Sequence, residues 1–221
     1  MKILAVDTAL GACSVAVFDG EKVLAHRFTL MERGHAEALA PMVESAMAQS
    51  GIGFAALARL AVTTGPGTFT GQRVGLAFMR GLRIAVKRPL VGVTTLAAMA
   101  HQAMAETGAV RAAAVHDARR DELYVEMVPG FAPGVMHRSH AIEVISDTMD
   151  TGRLALAGTA APGLVEPLRA LNIDVVLSGV RHPDALWVAR LALAAPEPEG
   201  PPRPLYLRAP DARLPSPPAG N

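Results

Sequence analysis

Short apolar runs separated by turn signals open the chain. Residues 3–8, 14–18 and 23–30 are rich in Val, Ile, Leu and Ala, and Asp19-Gly20 separates the second run from the third. Apolar runs broken by a tight Asp-Gly turn are typical of antiparallel strands joined by a hairpin. The first thirty residues therefore predict a three-stranded antiparallel meander.

Beyond the meander, helical patterns alternate with short buried runs. Five apolar residues recur at helical spacing and end near Ser50-Gly51: Leu39, Met42, Val43, Ala46 and Met47. Strands are predicted at 60–64 and 90–93, and helices at 71–87 and 94–106. The order β-β-β-α-β-α-β-α predicts an α/β protein with a mixed sheet covered by helices, as in the actin and ribonuclease H (ASKHA) group of folds.

The second half of the chain shows a weaker version of this alternation. Strands are predicted at 112–115, 122–128, 140–145 and 154–157 and near Val175, with helices after Pro162 and at 183–194. We therefore divide the chain into a first lobe at 1–108, a reduced second lobe at 109–195 and a proline-rich tail at 196–221. Proline density predicts that the tail is extended, with Leu205-Tyr206-Leu207 as its apolar anchor.

Composition excludes several classes of protein. The formal net charge of the 221 residues is +1, which lacks the basic excess of a stand-alone nucleic-acid binder, so a role on RNA would need a partner. Cys13 is the single cysteine and forms neither an internal disulfide nor a zinc site with two thiolates. No apolar stretch reaches the roughly 18 residues of a membrane helix, and we expect a cytoplasmic protein.

A glycine-rich segment, Thr-Thr-Gly-Pro-Gly-Thr-Phe-Thr-Gly-Gln-Arg at 63–73, lies between a predicted strand and a predicted helix. Backbone amides of Gly65 and Gly67 and the helix N-terminus could bind a nucleotide phosphate. The glycines could equally provide unusual backbone angles and a close approach of two elements. Asp7-Thr8, at the end of the first strand, could hold a phosphate-bound metal ion or form an ordinary turn. The residues alone leave both pairs of alternatives open.

Apolar and basic residues separate on the helix that follows. A 3.6-residue projection gives one apolar face: Val74, Phe78, Leu82 and Ala85. The opposite face is polar and basic: Gln72, Arg73, Arg80, Arg83 and Lys87. Leu76 falls on this polar face in the projection. An apolar residue framed by arginines is typical of a protein interface, although a single exposed leucine on a solvated face is also common.

Several segments of the sequence resemble the TsaB family, also called YeaZ. The matching segments are residues 3–16, His35, Gly-Pro-Gly-Thr-Phe-Thr-Gly-Gln-Arg-Val-Gly at 65–75, 92–96, 117–124 and 204–208. The resemblance implies two actin-like lobes, the second reduced, and a paralogue of TsaD, the subunit that transfers the threonylcarbamoyl group to tRNA. TsaD-like sequences carry a metal-binding His-x-x-x-His pair, and this chain has Thr95 and Met99 at those positions. Neither residue replaces an imidazole on iron or zinc.

The resemblance implies a non-catalytic scaffold subunit that pairs with TsaD for threonylcarbamoyladenosine modification of tRNA. The expected interface is formed by the helix beginning near His35 together with the following helix, and it packs against the equivalent helices of TsaD. Its expected residues are His35, Gln72, Arg73, Leu76, Arg80 and Arg83. The family also implies homodimers, recruitment of the ATPase TsaE and contact with tRNA only through the complex. We expect no metal or resident cofactor and leave open a nucleotide at the partner interface. The alternative is a small actin-like ATP-dependent phosphotransferase that uses Asp7 and the glycine loop, although the second lobe offers no recognisable phosphate loop.

Overall fold

The computed structural model describes residues 1–208, which form two five-stranded mixed sheets and six α-helices. The strands are β1 (Ile3–Asp7), β2 (Ala12–Phe18), β3 (Val23–Leu30), β4 (Arg59–Thr63), β5 (Leu90–Val93), β6 (Arg111–Asp117), β7 (Glu122–Val128), β8 (Phe131–His137), β9 (Leu154–Ala157) and β10 (Val175–Leu177). The helices are α1 (His35–Ser50), α2 (Phe69–Val86), α3 (Thr95–Thr107), α4 (Arg138–Thr148), α5 (Val165–Ala170) and α6 (Ala185–Ala194). The predicted α/β class is confirmed.

The two sheets have the same strand order. The first runs β3-β2-β1-β4-β5 and the second runs β8-β7-β6-β9-β10. In each sheet the first three strands of the lobe form an antiparallel meander. The fourth strand pairs in parallel with the first strand, and the fifth pairs in parallel with the fourth. The second lobe therefore repeats the topology of the first, although the sequence shows no internal repeat.

Helices and sheets alternate in five layers. Helices α1 and α2 cover the outer face of the first sheet, and α6 covers its inner face. Helix α3 covers the inner face of the second sheet, while α4 and α5 cover its outer face. The inner face of the second sheet is built from small side chains: Ala112, Ala114, Ala155 and Ala157. Their size lets α3 lie close to the sheet.

Two helices pack across the boundary predicted at residue 108. Leu96 and Met99 of α3 belong to the first lobe by sequence, but they pack against strands of the second sheet. Val188 and Ala192 of α6 follow the second sheet in the chain, but they pack against the first. The two helices contact each other between the sheets. The boundary at residue 108 therefore follows the order of the chain. In the packing, α3 from before the boundary covers the second sheet, and α6 from after it covers the first.

One predicted strand is a helix. Residues 140–145 alternate weakly and were expected to form a strand, but they lie in α4, where Ala141 and Ile145 are buried at helical spacing. The strand of this region is β8, which the sequence prediction missed because it contains Pro133 and Gly134. Proline is tolerated at a sheet edge, and β8 is an edge strand.

The tail beyond α6 forms neither helix nor strand over residues 196–208. The remainder of the predicted tail, residues 209–221, lies outside the described residues. Within residues 1–208, no helix combines the length and apolar character required to span a bilayer.

Candidate functional site

The glycine loop lies directly on the end of β1. The Thr8 hydroxyl donates to the carbonyl oxygen of Gly71 (2.7 Å) and accepts from the amide of Gly75 (3.0 Å). A Cβ at Gly71 would overlap the carbonyl oxygen of Thr8, and a Cβ at Gly67 would overlap that of Ala9. These glycines therefore permit a close approach of two backbones at the end of β1.

Asp7 is enclosed beneath this contact. Its carboxyl group is 0% exposed, and its Oδ1 atom accepts from the Thr63 hydroxyl (2.5 Å) and from the Ala9 amide (3.1 Å). Burial raises the pKa of Asp7 to about 7, and the hydrogen bond from Thr63 opposes that rise. The Oδ2 atom is buried without a hydrogen-bond partner. Asp7 is thus shielded from the cleft between the lobes.

Leu76 is buried, so the prediction that it lies exposed among arginines is wrong. Its exposed fraction is 2%, and it packs with Met79 in the core between α2 and the first sheet. Gln72 is equally buried, with 2% exposed. Gly71 and Gly75 explain this orientation, because they let α2 approach β1 along the side that carries Gln72 and Leu76.

The predicted interface arginines are differently placed. Arg73 donates from Nε to the hydroxyl of Tyr206 (2.9 Å), and Arg80 donates to the carbonyl oxygen of Pro202 (2.5 Å). The tail therefore holds both side chains. Arg83 is half-buried and makes no ion pair within the described residues.

His35 begins α1 and is half-buried. Its Nε2 atom lies 3.0 Å from the carbonyl oxygen of Leu10, in the turn between β1 and β2. The imidazole therefore ties the start of α1 to the first hairpin.

Val74, Phe78 and Leu82, which the projection places on the apolar face, are half-buried and pack against the core of the first lobe. The accessible side of α2 carries Ala77, which is exposed, and Ile84, which is 73% exposed. The projection missed the burial of Gln72 and Leu76 because it gave glycine no weight. The signal that identifies the inward side is the pair of glycines four residues apart at 71 and 75.

Helix α1 lies beside α2 and contacts it. The exposed residues of α1 are small, acidic or polar: Ala36, Glu37, Ala40, Pro41, Glu44, Ser45, Ala48 and Gln49. We call the surface formed by the accessible sides of both helices the α1/α2 face. It includes two exposed alanines, Ala40 on α1 and Ala77 on α2. Sequence reasoning located the helices of this surface but not its residues.

Thr95 and Met99, which stand at the positions of the TsaD metal ligands, are both fully buried on α3. Met99 packs in the apolar layer between α3 and the second sheet. Across residues 1–208, no group of three or more His, Cys, Asp or Glu side chains has the geometry to hold a metal ion.

The chain has two lobes with the same strand order and a cleft between them, and one helix of each lobe packs against the sheet of the other. This arrangement defines an actin-like protein. At 10% identity and a TM-score of 0.51, component A of the (R)-2-hydroxyglutaryl-CoA dehydratase of Acidaminococcus fermentans shares this fold over 86% of the chain. The YeaZ protein of Pseudomonas aeruginosa is far more similar: 31% identity and a TM-score of 0.76, with 93% of this chain and 99% of that chain covered. The chain belongs to the TsaB family, also called YeaZ.

Sequence comparisons agree with this assignment. Residues 28–128 match the family model of TsaD, described as tRNA N6-adenosine threonylcarbamoyltransferase. The tRNA threonylcarbamoyladenosine biosynthesis protein TsaB of Escherichia coli is 43% identical over 124 residues, which are 56% of this chain and 53% of that protein. An uncharacterized protein of Mycobacterium tuberculosis is 32% identical over 96% of this chain and 93% of its own length. The chain thus matches about half the length of its Escherichia coli relative.

Proposed function

We propose that this chain is a non-catalytic subunit in the biosynthesis of threonylcarbamoyladenosine on tRNA, and that it pairs with a TsaD-like subunit through the α1/α2 face. The observation that carries the proposal is an accessible helix pair on which small and apolar residues, such as Ala40, Ala77 and Ile84, lie among charged ones. The pathway is supported by the Escherichia coli relative, a tRNA threonylcarbamoyladenosine biosynthesis protein, and by the TsaD family match.

The α1/α2 face suits the pairing of helices. Exposed alanines such as Ala40 and Ala77 let a second pair of helices approach closely, and Phe78 and Ile84 supply apolar area at the contact. The acidic residues lie on α1 and the basic residues on α2. A two-fold arrangement that sets α1 against α2 of a similar partner therefore brings opposite charges together.

The same symmetry argument supports a homodimer when the TsaD-like subunit is absent, because a partner with a similar fold presents a similar surface. Recruitment of a TsaE-like ATPase and contact with tRNA only through the complex are supported by the family resemblance alone. A cytoplasmic location is supported by the buried free thiol of Cys13.

The non-catalytic role is supported by two features of the described residues. Asp7 is fully buried, and its Oδ1 atom already accepts from Thr63 and Ala9, so this carboxylate is not presented to a metal-bound phosphate. Thr95 and Met99 are buried without metal-ligand chemistry at the positions that carry the histidines in TsaD-like sequences. Neither feature favours the phosphotransferase alternative.

Reconstitution of the modification reaction tests this proposal. TsaD-like and TsaE-like subunits, substrates and tRNA are combined with and without this chain, and the modified nucleoside is measured by mass spectrometry. We expect modification only when the chain and the TsaD-like subunit are both present. Modification by the chain without the TsaD-like subunit, or undiminished modification without the chain, would contradict the proposal.

A further inference from the structure

Three segments far apart in the sequence meet at the mouth of the cleft between the lobes. They are the glycine loop at 66–72, the β6–β7 turn at 117–119 and the tail at 205–208. Together with Leu10, His116 and Tyr124 they line a cavity of about 400 Å³. All three segments were singled out in the sequence, yet the pairing surface described above uses none of the tail and none of the turn.

The tail contacts the first lobe through backbone and side chains. The amide of Leu205 donates to the carbonyl oxygen of Thr64 (2.8 Å). Pro202 lies over Gly92, where any side chain would collide with its ring. This part of the tail is therefore seated on the end of the first sheet, beside β5.

Tyr206 contacts an aromatic ring and a guanidinium group of the first lobe. Its ring stacks on that of Phe69, with 5.8 Å between the centroids, and its hydroxyl accepts from Arg73. The Arg73 guanidinium also lies 3.5 Å from the centroid of the Phe69 ring. Stacking of this kind adds to the contact beyond simple area burial.

Arg208 binds the tail to the second lobe. It donates to the carbonyl oxygen of Ala118 (2.6 Å) and forms an ion pair with Glu122 (3.3 Å). The β6–β7 turn that receives it holds residues 119–121 at φ values of 66°, 56° and 60°. Three consecutive non-glycine residues in the left-handed region are strained, so surrounding contacts must hold the turn in place.

We propose that the cleft mouth is a recognition groove for an extended peptide, and that residues 202–208, the latch segment, occupy it as an intramolecular ligand that holds the two lobes together. The groove contacts three side chains of this segment: Pro202, Tyr206 four residues later and Arg208 two residues after that. Proline restricts the free tail to extended conformations, which lowers the entropy lost on docking. Because the latch segment lines the cavity, its release also opens the cavity to solvent.

Hydrogen exchange on the full chain tests whether the latch segment is held by these contacts. The variants are Tyr206→Ala and Arg208→Ala, and the matched control is Arg203→Ala, an exposed arginine in the same tail. We expect the Leu205 amide to exchange at least tenfold faster in the two variants, the β6–β7 turn to lose protection, and amides of β1 and β4 to stay unchanged. Exchange at Leu205 equal to that of the control would overturn the proposal.

A conservative variant separates release of the latch segment from general damage to the fold. Tyr206→Phe keeps the ring and removes only the hydroxyl that accepts from Arg73. We expect acceleration at Leu205 smaller than that of Tyr206→Ala, with an unchanged melting temperature. Acceleration that spreads equally through the strands of both sheets would show a loss of the fold rather than release of the segment, and would also overturn the proposal.

Distance measurement between spin labels tests whether the segment holds the lobes. Labels are attached at Glu21→Cys in the first lobe and Asp147→Cys in the second, both exposed, while the native Cys13 is 0% exposed. We expect one narrow distance distribution in the parent and in Arg203→Ala, and a broad distribution in Arg208→Ala. A synthetic peptide with the sequence of residues 201–208, added in excess to Arg208→Ala, should narrow it again. A distribution that is unchanged by Arg208→Ala, or by the peptide, would contradict the assignment.

Discussion

Asp7 gives the protein a pH dependence of stability whose sign and size follow from its surroundings. Burial raises the pKa of this carboxyl group in the folded protein from 3.8 to about 7. A group whose pKa is higher in the folded state binds its proton more tightly there, so folding is favoured at low pH. The contribution of Asp7 is complete below pH 3.8 and is lost as the pH rises through about 7.

The magnitude is substantial for one residue. A shift of roughly 3 pKa units, at about 1.4 kcal/mol per unit, corresponds to about 4 kcal/mol between pH 4 and pH 8. Domains are stable by about 5–15 kcal/mol, so the change is a large fraction of the total. Asp7→Asn removes the charge at every pH and keeps an oxygen that accepts from Thr63 and Ala9. Its amide group would lie at the position of Oδ2 without a partner, at a cost of about 1–3 kcal/mol.

Urea denaturation of both proteins from pH 4 to pH 8 measures this effect. The difference in unfolding free energy isolates Asp7, because all other titrating groups are common to the two proteins. We expect Asp7→Asn to be less stable than the parent by about 1–3 kcal/mol at pH 4 and more stable by about 1–3 kcal/mol at pH 8. A difference that does not change with pH would refute the assignment of a raised pKa to a buried Asp7.

Two further substitutions test the packing of α2. Gly71→Ala places a methyl group against the carbonyl oxygen of Thr8 and should lower the unfolding free energy by about 1–3 kcal/mol. The control Gly81→Ala, whose methyl group meets nothing within 4 Å, should raise the unfolding free energy by about 0.5–1 kcal/mol. Equal effects of the two substitutions in thermal denaturation would argue against the close approach of α2 to β1. Leu76→Ala should cost about 2–5 kcal/mol, and Leu76→Glu should prevent folding, as measured by circular dichroism. A folded Leu76→Glu protein with the parent melting temperature would mean that Leu76 is not in the core.

Local patterns predicted most of the first lobe. The Asp19-Gly20 turn and the flanking apolar runs located β2 and β3, because hairpin geometry is encoded by neighbouring residues. The exchange of α3 and α6 between the sheets was not predictable in this way. Both helices are largely apolar, and their sequences do not record which sheet covers them.

The candidate site shows the same division between local and tertiary information. The motif at 63–73 was recognised as a strand-to-helix loop, and the structure places it there. The prediction that Gln72 and Leu76 lie on the polar face of α2 was wrong, because the close approach permitted by Gly71 and Gly75 buries both side chains. The meeting of the glycine loop, the β6–β7 turn and the tail joins residues more than 130 positions apart, such as Arg73 and Tyr206 (separation 133).

The affinity of the TsaD-like subunit for surface variants of this chain tests whether the two proteins pair through the α1/α2 face. Ala77→Glu places a charged side chain at a small position of the α1/α2 face, and Ala105→Glu makes the same change at an exposed position of α3. Both changes lie at exposed helix positions, so both proteins should fold. In isothermal titration calorimetry we expect Ala105→Glu to bind with the affinity of the parent and Ala77→Glu to lose at least a hundredfold in affinity. Equal affinities for the two variants would contradict pairing through this face.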